Sequence, residues 1–172
     1  TDSLKESLDY SEVCQKIKEI VERQRCLLIE RVAEIIAEKL LLTFDLLNEV
    51  EITVKKPWAP VMVHLDTVSV TIKRGWHKAY LSIGSNIGDR EGYLDQAVDY
   101  LNNEEDTRVI TVSDYIETEP WGDVEQDDFL NGALEIETLK TPRELLETVM
   151  AIEKEAHRER LVHWGPRTLD VD

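Results

Sequence analysis

The sequence predicts an α+β protein built in two parts, and three observations predict it. Apolar residues fall at helical spacing between positions 12 and 40 and then switch to strict alternation. The second part reads strand, helix, strand, strand, helix, loop, strand, the order of a split β-α-β sandwich. A capping signature at Thr141 marks the start of the last helix and anchors that order.

The elements follow in turn. Val13, Ile17, Ile20 and Val21 give a helix over 12–23, and Leu28, Ile29, Val32, Ile35, Ile36 and Leu40 give a second. Val50, Ile52 and Val54 alternate with polar residues, as do Val68, Val70 and Ile72, so each run reads as a strand. Pro57-Trp58-Ala59-Pro60 between them is a loop. Residues 74–78 read as a short connector, and a new strand runs from Ala79 to Ile83 until Gly84-Ser85-Asn86 breaks it. A helix carries Leu94, Ala97, Val98 and Leu101, and strands are expected at 108–117 and 130–137. Thr141 caps the last helix, Pro142 suits its first position and Glu144 completes the capping box. Leu145, Leu146, Val149 and Ile152 are its expected buried face.

Composition narrows the classes of partner. The 172 residues are 42% hydrophobic, enough for a packed core, and carry 36 acidic against 20 basic side chains for a net charge of −16. Such a surface repels phosphate backbones and anionic membranes, so neither nucleic acid nor a membrane is expected as partner. A small anionic ligand would then need local arginines or a metal. Cys14 and Cys26 make no disulfide framework and are read as core residues of a cytoplasmic protein. No segment has the length of a membrane span or the pattern of a signal peptide. The chain lacks an initiating Met and stops at Asp172 within an apolar-acidic alternation, so it is expected to be a piece of a longer polypeptide.

The most specific string is Trp164-Gly165-Pro166-Arg167-Thr168-Leu169-Asp170-Val171-Asp172. On a strand, Asp170 and Asp172 share a face, and magnesium typically takes one or two carboxylates and fills its other positions with water and phosphate oxygens. Taken alone, an Asp-x-Asp pair is more often an exposed strand face of an acidic protein. Arg158, Arg160 and Arg167 beside it shift that balance, because the guanidinium fork suits phosphate oxygens. Trp164 offers a flat face for a heteroaromatic ring.

This string resembles the signature of 6-hydroxymethyl-7,8-dihydropterin pyrophosphokinases, and other landmarks appear in family order. They are Leu81-Ser82-Ile83-Gly84-Ser85-Asn86-Ile87-Gly88, Thr118-Glu119-Pro120-Trp121-Gly122, Phe129-Leu130-Asn131 and Ile152-Glu153. The resemblance implies a ferredoxin-like domain over 78–172 that moves pyrophosphate from ATP to the pterin's hydroxymethyl oxygen. Phe129 and Trp164 would sandwich the pterin, while Asn131 and the backbone near Thr118 and Trp121 would read its polar edge. Asp170 and Asp172 would bind Mg2+. Arg158, Arg160 and Arg167 would act on the phosphates, with Arg158 and Arg167 counted as catalytic, and Glu153 would lie in the nucleotide pocket. His157 stands where the family usually has glycine, and Glu119 and Asp127 where it commonly has proline. The family's last strand would lie beyond Asp172.

In the first part Tyr10, Glu30 and Lys56 are the candidate chemical residues, and by themselves each reads as an ordinary surface charge or ring. The strings Leu8-Asp9-Tyr10-Ser11-Glu12-Val13, Leu28-Ile29-Glu30-Arg31-Val32-Ala33-Glu34, Val54-Lys55-Lys56-Pro57 and His64-Leu65-Asp66 resemble dihydroneopterin aldolase. That resemblance implies a partial T-fold (tunnelling-fold) domain over 1–75, lacking its first strands, that performs a metal-free retro-aldol cleavage releasing glycolaldehyde. Glu30 would anchor the pterin, Lys56 would serve as general acid-base group, and Tyr10 would assist from a neighbouring subunit of a homo-oligomer. Val61-Met62-Val63-His64 departs from the family's usual Ile-Pro-Gly-His. Together the resemblances imply a bifunctional folate-synthesis protein: dihydroneopterin aldolase, its C-terminal part, fused to the pyrophosphokinase, its N-terminal part. The alternatives are a pyrophosphokinase with an oligomerising but non-catalytic first part, and a scaffold that only retains the folds.

Overall fold

A computed structural model describes residues 7–121, 125–157 and 165–172, and the chain divides into two units, residues 1–76 and 77–172. In the first, helix α1 (Tyr10–Arg23) begins where the Asp9 side chain accepts the Ser11 N–H at 2.7 Å, an N-cap that satisfies one orphan donor. Helix α2 (Ile29–Thr43) packs on an antiparallel pair, β1 (Glu49–Lys56) and β2 (Val68–Gly75), with Ile52 opposite Ile72 and Val54 opposite Val70. Ile20, Ile35, Ile36 and Leu40 form the buried centre, and Phe44, Leu47 and Ile52 pack against it. Full burial of such side chains is worth roughly 1.5–3 kcal/mol each. Arg74 on β2 bonds Glu34 on α2 through Nε at 2.9 Å.

Three expectations change here. Val21 is 52% exposed and Cys14 is exposed, because the buried stripe of α1 runs through Val13, Ile17 and Ile20 and leaves both off its line. Leu28 is exposed because it is the cap residue before α2 and not part of the helix. Cys26, by contrast, packs against the core as expected.

The second unit runs β3 (His77–Ser85), α3 (Arg90–Asn103), β4 (Thr107–Val112), β5 (Ile116–Thr118), β6 (Phe129–Thr138), α4 (Pro142–Glu155) and β7 (Asp170–Val171). Its sheet has the order β4-β6-β3-β7, with β5 pairing the start of β6, and every neighbouring pair is antiparallel. Each helix therefore joins two parallel strands that are not neighbours, the split β-α-β arrangement. One core holds both helices to one sheet face: Leu81, Ile83, Leu134, Ile136 and Val171 from strands meet Leu94, Ala97 and Leu101 of α3 and Val149 and Ile152 of α4. The capping box at Thr141 and Glu144 forms as the sequence predicts. Lys140 holds the loop before it, reaching Glu104 at 2.9 Å and Asp106 at 3.0 Å. Burial tends to lower the Lys140 pKa, but those hydrogen bonds outweigh it and keep the ammonium above its ordinary value.

The expected connector at 74–78 shrinks to Trp76, since Arg74 and Gly75 still pair with β1 and His77 and Lys78 already pair with β6. The expected strand 108–117 divides in two. Its register shifts between Val109 and Thr111, and at Ser113 the hydroxyl accepts the Ala133 N–H at 2.9 Å in place of a ladder carbonyl. Leu146 is 56% exposed, so the apolar inner stripe of α4 runs through Leu145, Val149 and Ile152, with Glu153 buried beside it. His157 ends that helix with φ at 56°, a left-handed conformation that costs a side-chain-bearing residue about 1–2 kcal/mol.

Candidate active site

Alternation along the strands of the second unit sends every second side chain away from the core. Leu81 and Ile83 point to the helices, so Ser82 and Gly84 face the other way; Asn131 lies opposite Gly84 and Asp170 pairs with Gly84 from the other side. On that open face lies a cavity of about 560 Å³, lined among others by Ser82, Gly84, Thr118, Glu119, Trp121, Gln126, Phe129, Asn131, Arg167 and Asp170.

Its floor is held by hydrogen bonds. Asn131 Nδ2 donates to Thr118 Oγ1 at 2.7 Å, tying β6 to β5. A Cβ at Gly84 would come within 2.5 Å of Asn131 Oδ1, so the missing side chain is what lets the amide lie across β3. The Arg167 guanidinium carbon sits 5.3 Å from the Phe129 ring centroid, a cation–π distance, and the same guanidinium pairs with the Asp170 carboxylate.

Asn86, only 3% exposed, joins the walls. It accepts the Arg167 N–H at 2.8 Å through Oδ1, and its own N–H donates to the Arg167 carbonyl at 3.1 Å. Its Nδ2 donates to Gln126 Oε1 and to the Asp127 carbonyl, both at 3.0 Å. Arg90 fixes the same loop by donating to the Asp128 carbonyl at 2.8 Å and to Glu117 at 2.7 Å. Behind the floor, the Tyr115 hydroxyl donates to Asp95 at 2.9 Å, and burial followed by this contact pushes its pKa up to about 12.

Of the residues the sequence singles out, Thr118, Trp121, Phe129, Asn131, Arg167 and Asp170 line this one cavity. Trp121 is 91% exposed, a flat ring open to solvent or ligand. Asp172 is exposed beside Ser82, with which it exchanges backbone hydrogen bonds of 2.7 and 3.0 Å, so it follows Asp170 on the same strand face. Glu153 does not line the cavity: it is 7% exposed in the core and accepts the Val171 N–H at 3.1 Å. Arg158, Arg160 and Trp164 lie outside the described residues. Ser82, Asn86 and Gln126 were assigned no site role from the sequence, although the first two stand in a landmark string. Only Asn86 carries a signal, as a polar residue closing the Gly-Ser-Asn break after a buried strand.

In the first unit, Tyr10, Glu30 and Lys56 are all exposed, at the first residue of α1, the first turn of α2 and the end of β1. A cavity of about 260 Å³ in this unit is lined by Ile20, Val21, Gln24, Arg25, Cys26, Val32 and Ile35, and by none of those three. Among the described residues no helix is long and apolar enough to cross a membrane. Nor do any three His, Cys, Asp or Glu side chains among them cluster as a metal site.

Comparisons with known proteins agree with this division. The model of the 7,8-dihydro-6-hydroxymethylpterin-pyrophosphokinase family matches residues 80–172, and that of dihydroneopterin aldolase matches residues 1–73. Along the chain the aldolase match precedes the pyrophosphokinase match, which corrects the expected labels of a C-terminal aldolase part and an N-terminal pyrophosphokinase part. A 2-amino-4-hydroxy-6-hydroxymethyldihydropteridine pyrophosphokinase of Bacillus subtilis is 52% identical over 94 residues, covering 55% of this chain and 56% of that protein. The bifunctional protein FolKE of Lactococcus lactis subsp. cremoris is 48% identical over 93 residues, 54% of this chain and 27% of that protein. The folic acid synthesis protein fol1 of Schizosaccharomyces pombe is 34% identical over 175 residues, covering 94% of this chain and 24% of its own length. The chain thus spans between about a quarter and just over half of these relatives.

Proposed function

The chain belongs to the 7,8-dihydro-6-hydroxymethylpterin-pyrophosphokinase family, and on that premise we propose that its second unit transfers pyrophosphate from ATP to the hydroxymethyl oxygen of 6-hydroxymethyl-7,8-dihydropterin. The observation that carries this is the convergence of Thr118, Phe129, Asn131, Arg167 and Asp170 on one cavity. An aromatic ring beside an amide suits a pterin, which presents a flat face and a hydrogen-bonding edge. Phe129 takes the face, with Trp164 and the exposed Trp121 as further stacking surfaces. Asn131, oriented by Thr118, takes the edge. Arg167 neutralises phosphate oxygens, joined by Arg158 and Arg160.

The sheet order is that of a ferredoxin-like fold, and the carboxylates fit a magnesium ion: Asp170 and Asp172 alternate onto one face of β7 at the cavity edge. Such an ion supplies charge neutralisation for the phosphates. Arg167 pairs with Asp170 and orients its carboxylate. The remaining work of the chain is positioning, since holding the hydroxyl in line with the β-phosphorus and excluding water account for much of the barrier in such transfers. The test is the double substitution Asp170→Asn with Asp172→Asn in the complete protein. AMP formation is expected to be abolished with the circular dichroism spectrum unchanged, and a wild-type rate would refute the assignment.

For the first unit the reading is a dihydroneopterin aldolase domain of T-fold type, metal-free, with Glu30 binding the pterin, Lys56 moving the proton and Tyr10 contributed across a subunit boundary in a homo-oligomer. The exposure of all three residues supports a site completed by material outside one unit. One relative named for folic acid synthesis matches 94% of the chain across both units, which supports two linked activities over a non-catalytic first part. Both substrates are small pterins, with ATP as co-substrate, and the cytoplasm is the proposed compartment.

A further inference from the structure

Strand β7 and Asp172 just after it carry the carboxylate pair, and this segment is held from two sides. Toward β3, Asp172 exchanges both backbone hydrogen bonds with Ser82, at 2.7 and 3.0 Å. In an antiparallel pair the next residue along points its N–H the opposite way. Val171 therefore presents its amide away from β3, and there the Glu153 carboxylate accepts it at 3.1 Å. Glu153 thus takes the place a neighbouring strand would occupy.

A carboxylate 7% exposed among Val149, Ile152 and Ala156 is costly to bury unless it is hydrogen-bonded. What it holds is the one residue between Asp170 and Asp172. The Val171 side chain is anchored in the core at 3% exposure, and Glu153 fixes its amide. With both fixed, the pleat turns Asp170 and Asp172 to the open face together. We infer that Glu153 is a positioning residue for the carboxylate pair, acting through the Val171 amide and not by touching the nucleotide. Its bearing on magnesium rests on the phosphoryl-transfer reading above; its hold on β7 does not.

The experiment compares wild type, Glu153→Ala and Glu153→Gln in the complete protein, with two readouts. One is hydrogen exchange at the Val171 amide followed by NMR. The other is the Mg2+ concentration needed for half-maximal binding of a non-hydrolysable ATP analogue. Removing a partner that orients metal ligands typically costs 10–100-fold, so Glu153→Ala is expected to raise the Mg2+ half-saturation by roughly that factor. It is expected to speed Val171 exchange at least about tenfold, a lost hydrogen bond of ordinary strength. Analogue affinity at saturating Mg2+ should stay within about twofold, because no direct contact is lost. Glu153→Gln keeps a carbonyl acceptor and should restore most of both effects. Three outcomes overturn the inference: fast Val171 exchange in wild type, unchanged Mg2+ half-saturation beside a lowered Tm, or weaker analogue binding at saturating Mg2+ in Glu153→Gln with Val171 undisturbed. If Glu153→Ala does not fold, Glu153→Asp, one methylene too short, carries the same expectations. Absence of pterin-dependent AMP formation in wild type would instead count against the proposed function, and the exchange result would stand by itself.

Discussion

In the second unit, side chains from β3, β5, β6 and the segment 165–172 converge on one cavity, whereas in the first unit Tyr10, Glu30 and Lys56 stand exposed at the ends of separate elements. Both units follow the same rules of alternation and capping, so the difference lies in sheet size. A sheet with the order β4-β6-β3-β7, covered by helices on one face, must gather its remaining side chains on the other. A two-stranded sheet under one helix spends its single covered face on core residues such as Ile52. Its candidate residues Tyr10, Glu30 and Lys56 stand exposed.

That contrast can be broken or sharpened by substitution. The largest effect is expected from Lys56→Ala, which should lower glycolaldehyde release about 10²–10⁴-fold, the usual contribution of a general acid-base group. AMP formation by the second unit should be untouched, and unchanged glycolaldehyde release would sink the role of Lys56. Next, Asn86→Ala removes side-chain bonds to Arg167, Gln126 and the Asp127 carbonyl. Denaturant unfolding of the second unit should show a loss of about 3 kcal/mol, near 1 kcal/mol per bond. A loss below about 1 kcal/mol would mean that the walls are held elsewhere.

Gly84→Ala should be milder for stability and sharper for binding. Its Cβ meets Asn131 Oδ1, so overpacking is expected to cost about 1–3 kcal/mol and to weaken pterin affinity as the amide is pushed from the floor. Titration of Tyr115 followed by ultraviolet absorbance should show its midpoint near 12. Because the folded pKa is raised, its stabilising contribution is complete below the ordinary value near 10 and is lost as pH rises through about 12. Tyr115→Phe should abolish that alkaline dependence. The smallest effect is a gain: His157→Gly should stabilise by about 1 kcal/mol, read as a higher Tm, since glycine takes φ of 56° without strain.

How far the fold was legible varies with how local its cause is. The capping box at Thr141 and the stripe of α3 through Leu94, Ala97 and Leu101 depend on neighbours within two turns, and both appear as read. The division of strand 108–117 does not, because it depends on Ser113 meeting Ala133 on another strand. The cavity residues Thr118, Phe129, Asn131, Arg167 and Asp170 were named from motif resemblance. Ser82 stood in a landmark string with no role assigned to it, and Gln126 in none; both became visible only as lining. Glu153 stands in a motif expected near the nucleotide, and its carboxylate accepts the Val171 N–H. A carboxylate looks the same in sequence whether it faces a ligand or an amide.

The sequence by itself determined most of the order of elements, the main buried stripe of each helix, and the alternation that sets Asp170 and Asp172 on one side. These follow from periods of 3.6 and 2, which are properties of contiguous residues. Only the tertiary structure decided which of those faces meet. Asn86 reaches Arg167 across 81 positions and Gly84 makes room for Asn131, contacts that exist because strand pairing brings distant residues together. The same pairing leaves Val171 with an outward amide and gives Glu153 something to hold.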